Sequence, residues 1–227
     1  MREPKYKLIQ SGSQNTLFRV VYLKDVYSPN GKLLASAGEL GGFVEYEKNL
    51  SQKGSCVVLR DAIVMGEKTR VCQNAIVTDN AIVSSGSTIA GDAKVSGNAV
   101  VSDKSILTDN AIADGYAKIT NKSILLDNAC VDENATLDHA FAMWNSRVYG
   151  NAVVKLKSKI GGLAHIFDNA LVSGSDVYGL THIGGHTQLV ACNVDGEVKL
   201  ISGMFYSKHI STRSDCNELK NESEREL

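Results

Sequence analysis

The chain carries almost no net charge, with a formal balance of −1 over 227 residues. Nucleic acids and anionic membranes are held chiefly by an excess of cations, so neither is expected as a partner. Long apolar runs are also missing. No stretch is long enough to span a bilayer as a helix, and the opening MREPKYKLIQ has no apolar signal-peptide core, so a cytoplasmic location is expected. The 5 cysteines, at positions 56, 72, 130, 192 and 216, are scattered, odd in number and free of any C-x-x-C pair. That distribution suits a reducing compartment and not a disulfide framework. Proline is limited to 2 residues against 20 glycines, in a length suited to one elongated domain with appendages.

What is present is a period of six. Residues 74–139 divide without remainder into NAIVTD, NAIVSS, GSTIAG, DAKVSG, NAVVSD, KSILTD, NAIADG, YAKITN, KSILLD, NACVDE and NATLDH. The second place of each six is small, the fourth is nearly always branched aliphatic, and the sixth and first favour Asp, Gly or Asn. Alternate residues of a strand face opposite ways, so a small and a large residue at places two and four fill a narrow interior together. Asp, Asn and Gly tolerate the positive φ that a sharp corner needs. Each six is therefore predicted to form one short strand and one corner, three sixes one triangular coil, and the whole a prism of stacked coils.

This small-x-aliphatic pattern resembles the hexapeptide-repeat proteins. The resemblance implies an all-β, left-handed parallel β-helix of the kind seen in trimeric acyltransferases, here with an amino-terminal β cap. A second resemblance covers AGELGGFVEYEKNLSQKGSCVV, which leads straight into DAIVMG. It is similar to the lead-in segment of the YdcK-like proteins of enterobacteria (bacterial) and their phage relatives. That family implies a fold but no assigned activity, and so no catalytic residues.

Three segments are expected. Residues 1–54 hold a hairpin, from alternating apolar residues in 5–9 and 17–23 around SGSQNT, and a capping segment in which Gly38, Gly41 and Gly42 lead into Phe43 and Val44. The glycine spacing fits neither the dinucleotide nor the phosphate-loop fingerprint, so a lid over the open first coil is expected. Residues 55–203 form the β-helix, in seven or eight coils. Residues 204–227 form a cap, with Met204, Phe205 and Tyr206 closing the last coil and a short helix or tail over 216–226. The frame slips twice, with one residue missing in 140–144 and another in 175–179.

Residues three hexads apart share a face. One outward column then reads Lys94, Ile112, Cys130, Arg147, His165, His182, flanked at the fifth place by Asp114, Asp132, Tyr149 and Phe167. A second reads Thr88, Ile106, Ile124, Ala142, and a third begins Ile82, Val100. Outward Ile and Val need a cover, so Ile82, Val100, Ile106 and Ile124 are candidate contacts in a homotrimer.

His165 and His182 are expected as stacked neighbours, with His186 at the following corner; imidazoles so placed suit proton transfer or zinc. Cys130 beside Arg147 is a candidate for a lowered thiol pKa. Two functional classes follow. In the first, the prism is a rigid binding or scaffold module without catalysis, whose protein or small-molecule ligand meets Asp114, Cys130, Asp132, Arg147, Tyr149, Phe167 and His186. In the second, implied by the hexapeptide resemblance, it is a trimeric acyltransferase that takes acyl-CoA and uses His165 or His182 as general base. The extruded loop common in such enzymes is missing from 74–139, and so is the His-x4-His spacing of the zinc-holding hexapeptide carbonic anhydrases. The first class is the expectation, with no metal site and no cofactor assigned.

Overall fold

The computed structural model describes residues 3–11 and 16–211. The short helix or tail expected over 216–226 lies outside the described residues. Most hexads form a strand of two residues, as in Ile76–Val77, Ile82–Val83 and Thr88–Ile89. The first corner residue takes a left-handed conformation, with φ of +62° at Asp79, +65° at Gly97 and +58° at Asp109. Each strand then pairs in parallel with the equivalent strand of the next coil, aligning Ile82 with Val100, Thr88 with Ile106 and Lys94 with Ile112. The result is a parallel β-solenoid of about nine turns with three sheets, one of twelve strands and two of nine. They are called here the long sheet, the third sheet, which holds Thr88–Ile89, and the histidine sheet, which holds His165–Ile166.

The interior is a column of small and branched side chains. Ala75, Val77, Ala81, Val83, Ile89, Ala93 and Val95 are all fully buried. Burying each larger aliphatic side chain contributes about 1.5–3 kcal/mol. The stack is longer than the hexads suggest. Val57–Val58 begins it, and Met204–Tyr206 and His209–Ile210 extend it beyond position 203, where the six-residue pattern is no longer readable.

Tyr6–Gln10 and Phe18–Tyr22 form the expected antiparallel hairpin, and Leu40–Val44 joins it to the first coil through Ile63–Val64. Two tyrosines close the open end. The Tyr22 hydroxyl donates to the Val58 carbonyl at 3.0 Å, and the Tyr6 hydroxyl donates to that of Leu50 at 2.5 Å. Lys5 is 2% exposed, and its ammonium donates to the Cys56 carbonyl (2.7 Å), the Cys56 sulfur (3.2 Å) and the Gly54 carbonyl (3.3 Å). Desolvation pushes the Lys5 pKa down. Gly42 lies against the first coil so closely that a Cβ there would sit 2.5 Å from the Ala62 carbonyl oxygen.

The corners explain the slips in frame. Where the histidine sheet meets its two neighbours, asparagine side chains bond from coil to coil: Asn110 to Asn128 (3.0 Å), Asn128 to Asn145 (3.0 Å), Asn134 to Asn151 (3.2 Å) and Asn151 to Asn169 (3.3 Å). A change of length would break such a ladder. All but one of the changes fall instead on the corner between the long and third sheets; the exception, between Lys199 and Met204, lies past the ladders' ends. At that variable corner Thr136–Asp138 reaches Phe141–Ala142 through His139 and Ala140, so the corner itself is His139 alone. Phe141, and not Ala142, therefore pairs with Ile124 and faces outward, while Ala142 is fully buried. This corrects the second column read from the sequence.

A short corner also strands an amide. In a two-residue corner the following N–H donates back across the turn, as Ala81 does to the Thr78 carbonyl at 3.3 Å. In the short corners the amides of Ala140, Ser175 and Cys192 donate instead to the hydroxyl of a serine one coil earlier: Ser123 (3.1 Å), Ser158 (3.0 Å) and Ser175 (2.9 Å). A buried, unpaired N–H costs about 1–3 kcal/mol. Ser123→Ala is accordingly expected to lower stability in urea unfolding by about that amount. Ser105→Ala should lose less, because the Ser105 hydroxyl bonds the Ser102 carbonyl of its own corner. Equal losses from the two substitutions would refute this account of the short corners.

Candidate functional site

The histidine sheet gathers the sequence-predicted residues into one strip. Parallel pairing aligns Lys94 with Ile112, Ile112 with Cys130, Cys130 with Arg147, Arg147 with His165, and His165 with His182. All six are outward-facing third-place residues. The same register adds Lys199 beside His182. Two places further along each strand, Asp114, Asp132, Tyr149 and Phe167 form the parallel column.

Side-chain contacts knit the centre of the strip together. Arg147 donates to Asp132 at 2.8 Å, and its guanidinium carbon lies 5.4 Å from the centroid of the Tyr149 ring. Tyr149 stacks on Phe167 with centroids 5.5 Å apart and planes 12° from parallel. The His165 ring meets the edge of Tyr149 at 6.0 Å and lies 5.1 Å from His182. His182 holds its Nδ1 3.3 Å from the Leu180 carbonyl, the placement that favours a proton on Nδ1 and leaves Nε2 as acceptor. Asp114 sits lower on the strip, accepting from the Ser96 hydroxyl at 2.9 Å, and His186 is exposed at the next corner.

Electrostatics correct one expectation. The Cys130 thiol is pushed up to about 11, first by burial and then by the neighbouring Asp132, which together outweigh Arg147. Its hydrogen bond to Asp132, at 3.6 Å, favours the protonated form. The thiolate that an adjacent Arg suggested is therefore disfavoured. His165 is shifted the other way: burial, then His182 and Arg147, lower its pKa below the ordinary 6.5 and favour the neutral ring.

Two glycines missed in the sequence shape the surface. A Cβ on Gly184 would run into the Phe167 ring, and one on Gly161 would lie 2.8 Å from Tyr178 and 2.9 Å from Trp144. Both are outward fifth-place residues, and their bare backbones are the floors on which these rings lie. Trp144 and Tyr178 are 5.8 Å apart and Trp144 is 48% exposed, so a second aromatic pair stands round the corner from the strip. A glycine at a place usually given to a side chain, one coil after an aromatic, was the available signal.

Two cavities lie away from the strip. A cavity of about 700 Å³ lies beside Tyr46, Leu50, Arg70 and Cys72. Another of about 610 Å³ is lined by Lys104, Lys122, Asp138, His139 and Leu156, beside the short His139 corner. Neither includes a strip residue. Among the described residues no group of three or more His, Cys, Asp or Glu is placed to hold a metal ion, and no helix is long and apolar enough to cross a membrane. No protein-family model matches the chain, and no curated protein matches it.

Two measurements check the electrostatics. Iodoacetamide should alkylate Cys130 far more slowly than a free thiol at pH 7.5, because little thiolate is present so far below a pKa of about 11. In NMR titrations His165 should titrate below 6.5, and His182→Ala should raise its pKa by removing a neighbouring positive charge. Since the unfolded chain binds this proton more readily than the folded one, His165 should cost stability as pH falls from above 6.5 through its folded value. An unchanged His165 titration in the variant would contradict the assigned coupling.

Proposed function

We propose that the protein is a rigid β-helical binding or scaffold module and that the strip on the histidine sheet is its recognition face. The observation that carries this reading is the continuous chain of contacts from Asp132 through Arg147, Tyr149 and Phe167, with His165 and His182 alongside. Short strands locked to both neighbouring coils hold these groups with little freedom, so presenting them to a ligand costs little ordering. Arg and Tyr also recur among residues that dominate binding energies. A flat face suits an extended or broad partner, whereas small molecules are usually enclosed in concave sites.

The lowered pKa of His165 supports a second reading, a trimeric acyltransferase using acyl-CoA. A neutral imidazole is ready to accept a proton from an acceptor hydroxyl or amine. In such a trimer the outward residues Ile82, Val100, Ile106 and Ile124 would be covered by neighbouring copies.

The two readings part in one set of experiments. Wild type and the double variant Tyr149→Ser/Phe167→Ser, checked for an unchanged melt, are presented to arrays of defined peptides and oligosaccharides. The binding reading expects ligands held by wild type and by Lys118→Ala, but weakened at least tenfold in the double variant. It fails if the double variant retains every ligand. The enzymatic reading expects acyl transfer from acetyl-CoA that His165→Ala or His182→Ala abolishes, and a turnover indifferent to both would remove its only residues.

A further inference from the structure

We infer that the ligand of the strip is an extended acidic glycan, lying along the solenoid axis with its anionic groups on Arg147, His165, His182 and Lys199. This rests on the binding reading above and names the chemistry of the same face.

Charge is the first argument. The four third-place residues are aligned in consecutive coils. Three acids beside them each accept a hydrogen bond from the protein through one carboxylate oxygen, and Asp132 keeps its Oδ1 buried without a partner among the described residues. Asp132 is bonded to Arg147 at 2.8 Å, Glu133 accepts the Gly150 amide at 2.9 Å, and Asp168 accepts the Gly185 amide at 3.0 Å. Cys130 and Tyr149 are both held in their neutral, protonated forms by burial, while Lys94 and Asp114 stand lower on the strip, Asp114 accepting from the Ser96 hydroxyl. His186 and Glu197 stand at the flanking corners, both exposed. What the strip offers an anion is chiefly the Arg147 guanidinium beyond its bond to Asp132 and the Lys199 ammonium, with the His165 ring aligned between Arg147 and His182. An anion there would also offset the repulsion from His182 and Arg147 that adds to burial in lowering the His165 pKa.

Spacing is the second argument. Coils repeat every 4.8 Å or so, so the row from Arg147 to Lys199 spans roughly 14 Å in three equal steps. One step is close to the length of one pyranose unit in an extended chain, so a glycan with an acid group on each sugar presents charge at the same interval. The aromatic column supplies the rest of the fit. Tyr149 and Phe167 are stacked on each other at 5.5 Å, which leaves no gap for a nucleobase to enter between them. Their outer surfaces and edges remain for the apolar C–H faces of sugar rings, and Gly184 lets Phe167 lie close to the backbone beside His182.

The test is isothermal titration with tetragalacturonate. Cellotetraose, tetraglutamate and a short single-stranded oligonucleotide serve as neutral, peptidic and nucleic-acid comparisons. Saturable binding of tetragalacturonate is expected, at least tenfold tighter than that of the three others and tighter at pH 6 than at pH 7.5 as His165 takes up a proton. It should weaken at least tenfold in His165→Gln/His182→Gln and in Arg147→Gln, and stay unchanged in Lys118→Ala. Tetragalacturonate binding that ignores these substitutions would overturn the assignment. So would preference for the peptide or oligonucleotide at the strip, although the binding face itself would then stand. If none of the four probes binds, the acidic-glycan inference falls, and the peptide and oligosaccharide arrays decide separately whether the face binds anything.

Discussion

Every coil is tied to the next by main-chain hydrogen bonds in a fixed parallel register, and the remaining architecture follows from that constraint. Ile76 donates to the Ala93 carbonyl, Lys94 to that of Ala111 and Ile112 to that of Ala129, each at 2.9 Å. Such a ladder lets no strand slide by one residue without turning its inward side chains out. A narrow interior of alanines and branched aliphatics is then obligatory, since each inward place is shared with the coils before and after it. The amino-terminal hairpin meets the same demand from the other direction. Exposed carbonyls of the first coil would remain unpaired without the hydroxyls of Tyr6 and Tyr22 and the ammonium of Lys5.

The corners show how a strict lattice absorbs variation in length. Two of them carry asparagine ladders, in which each side chain donates to the next and a lost residue would interrupt the row. The third has no continuous ladder. It takes the two-residue turns at Asp103–Lys104 and Asn121–Lys122, with all four φ values positive, and then the single-residue turn at His139. A buried serine one coil earlier receives the amide that each short turn at 139, 174 and 191 leaves unpaired. The histidine sheet lies between the two laddered corners, so its columns stay aligned through both slips. That alignment is why residues far apart in the chain, such as Asp132 and Phe167, belong to one surface.

The recognition face draws its character from the same geometry. Side chains repeated at the inter-coil spacing are forced into contact with their own column, so the neighbours of a charged or aromatic residue are set by whatever stands one coil away. Arg147 has Cys130 below and His165 above, and this placement rather than any local motif depresses the His165 pKa. Removing the side chain at Gly161 and Gly184 opens a further direction to a ring, along the surface and over the backbone of the adjacent coil.

Much of this was legible in the sequence because the period is short and each place has one physical task. The repeated small and branched residues, the Asp, Asn and Gly corners, the hairpin and the Cys130, Arg147, His165, His182 column all follow from counting in sixes. The tertiary structure decided what counting does not reach. It placed the missing residue of the first slip at the His139 corner, which turned Phe141 outward and Ala142 inward. It raised the Cys130 pKa, because burial and Asp132 outweigh the Arg that the column register sets beside it. It carried the stack on to His209–Ile210, where side chains no longer repeat but the backbone ladder still does. Periodicity reports which way a side chain faces. Desolvation, ring packing and the pairing of stray amides depend on distances between coils, and those exist only once the chain has folded.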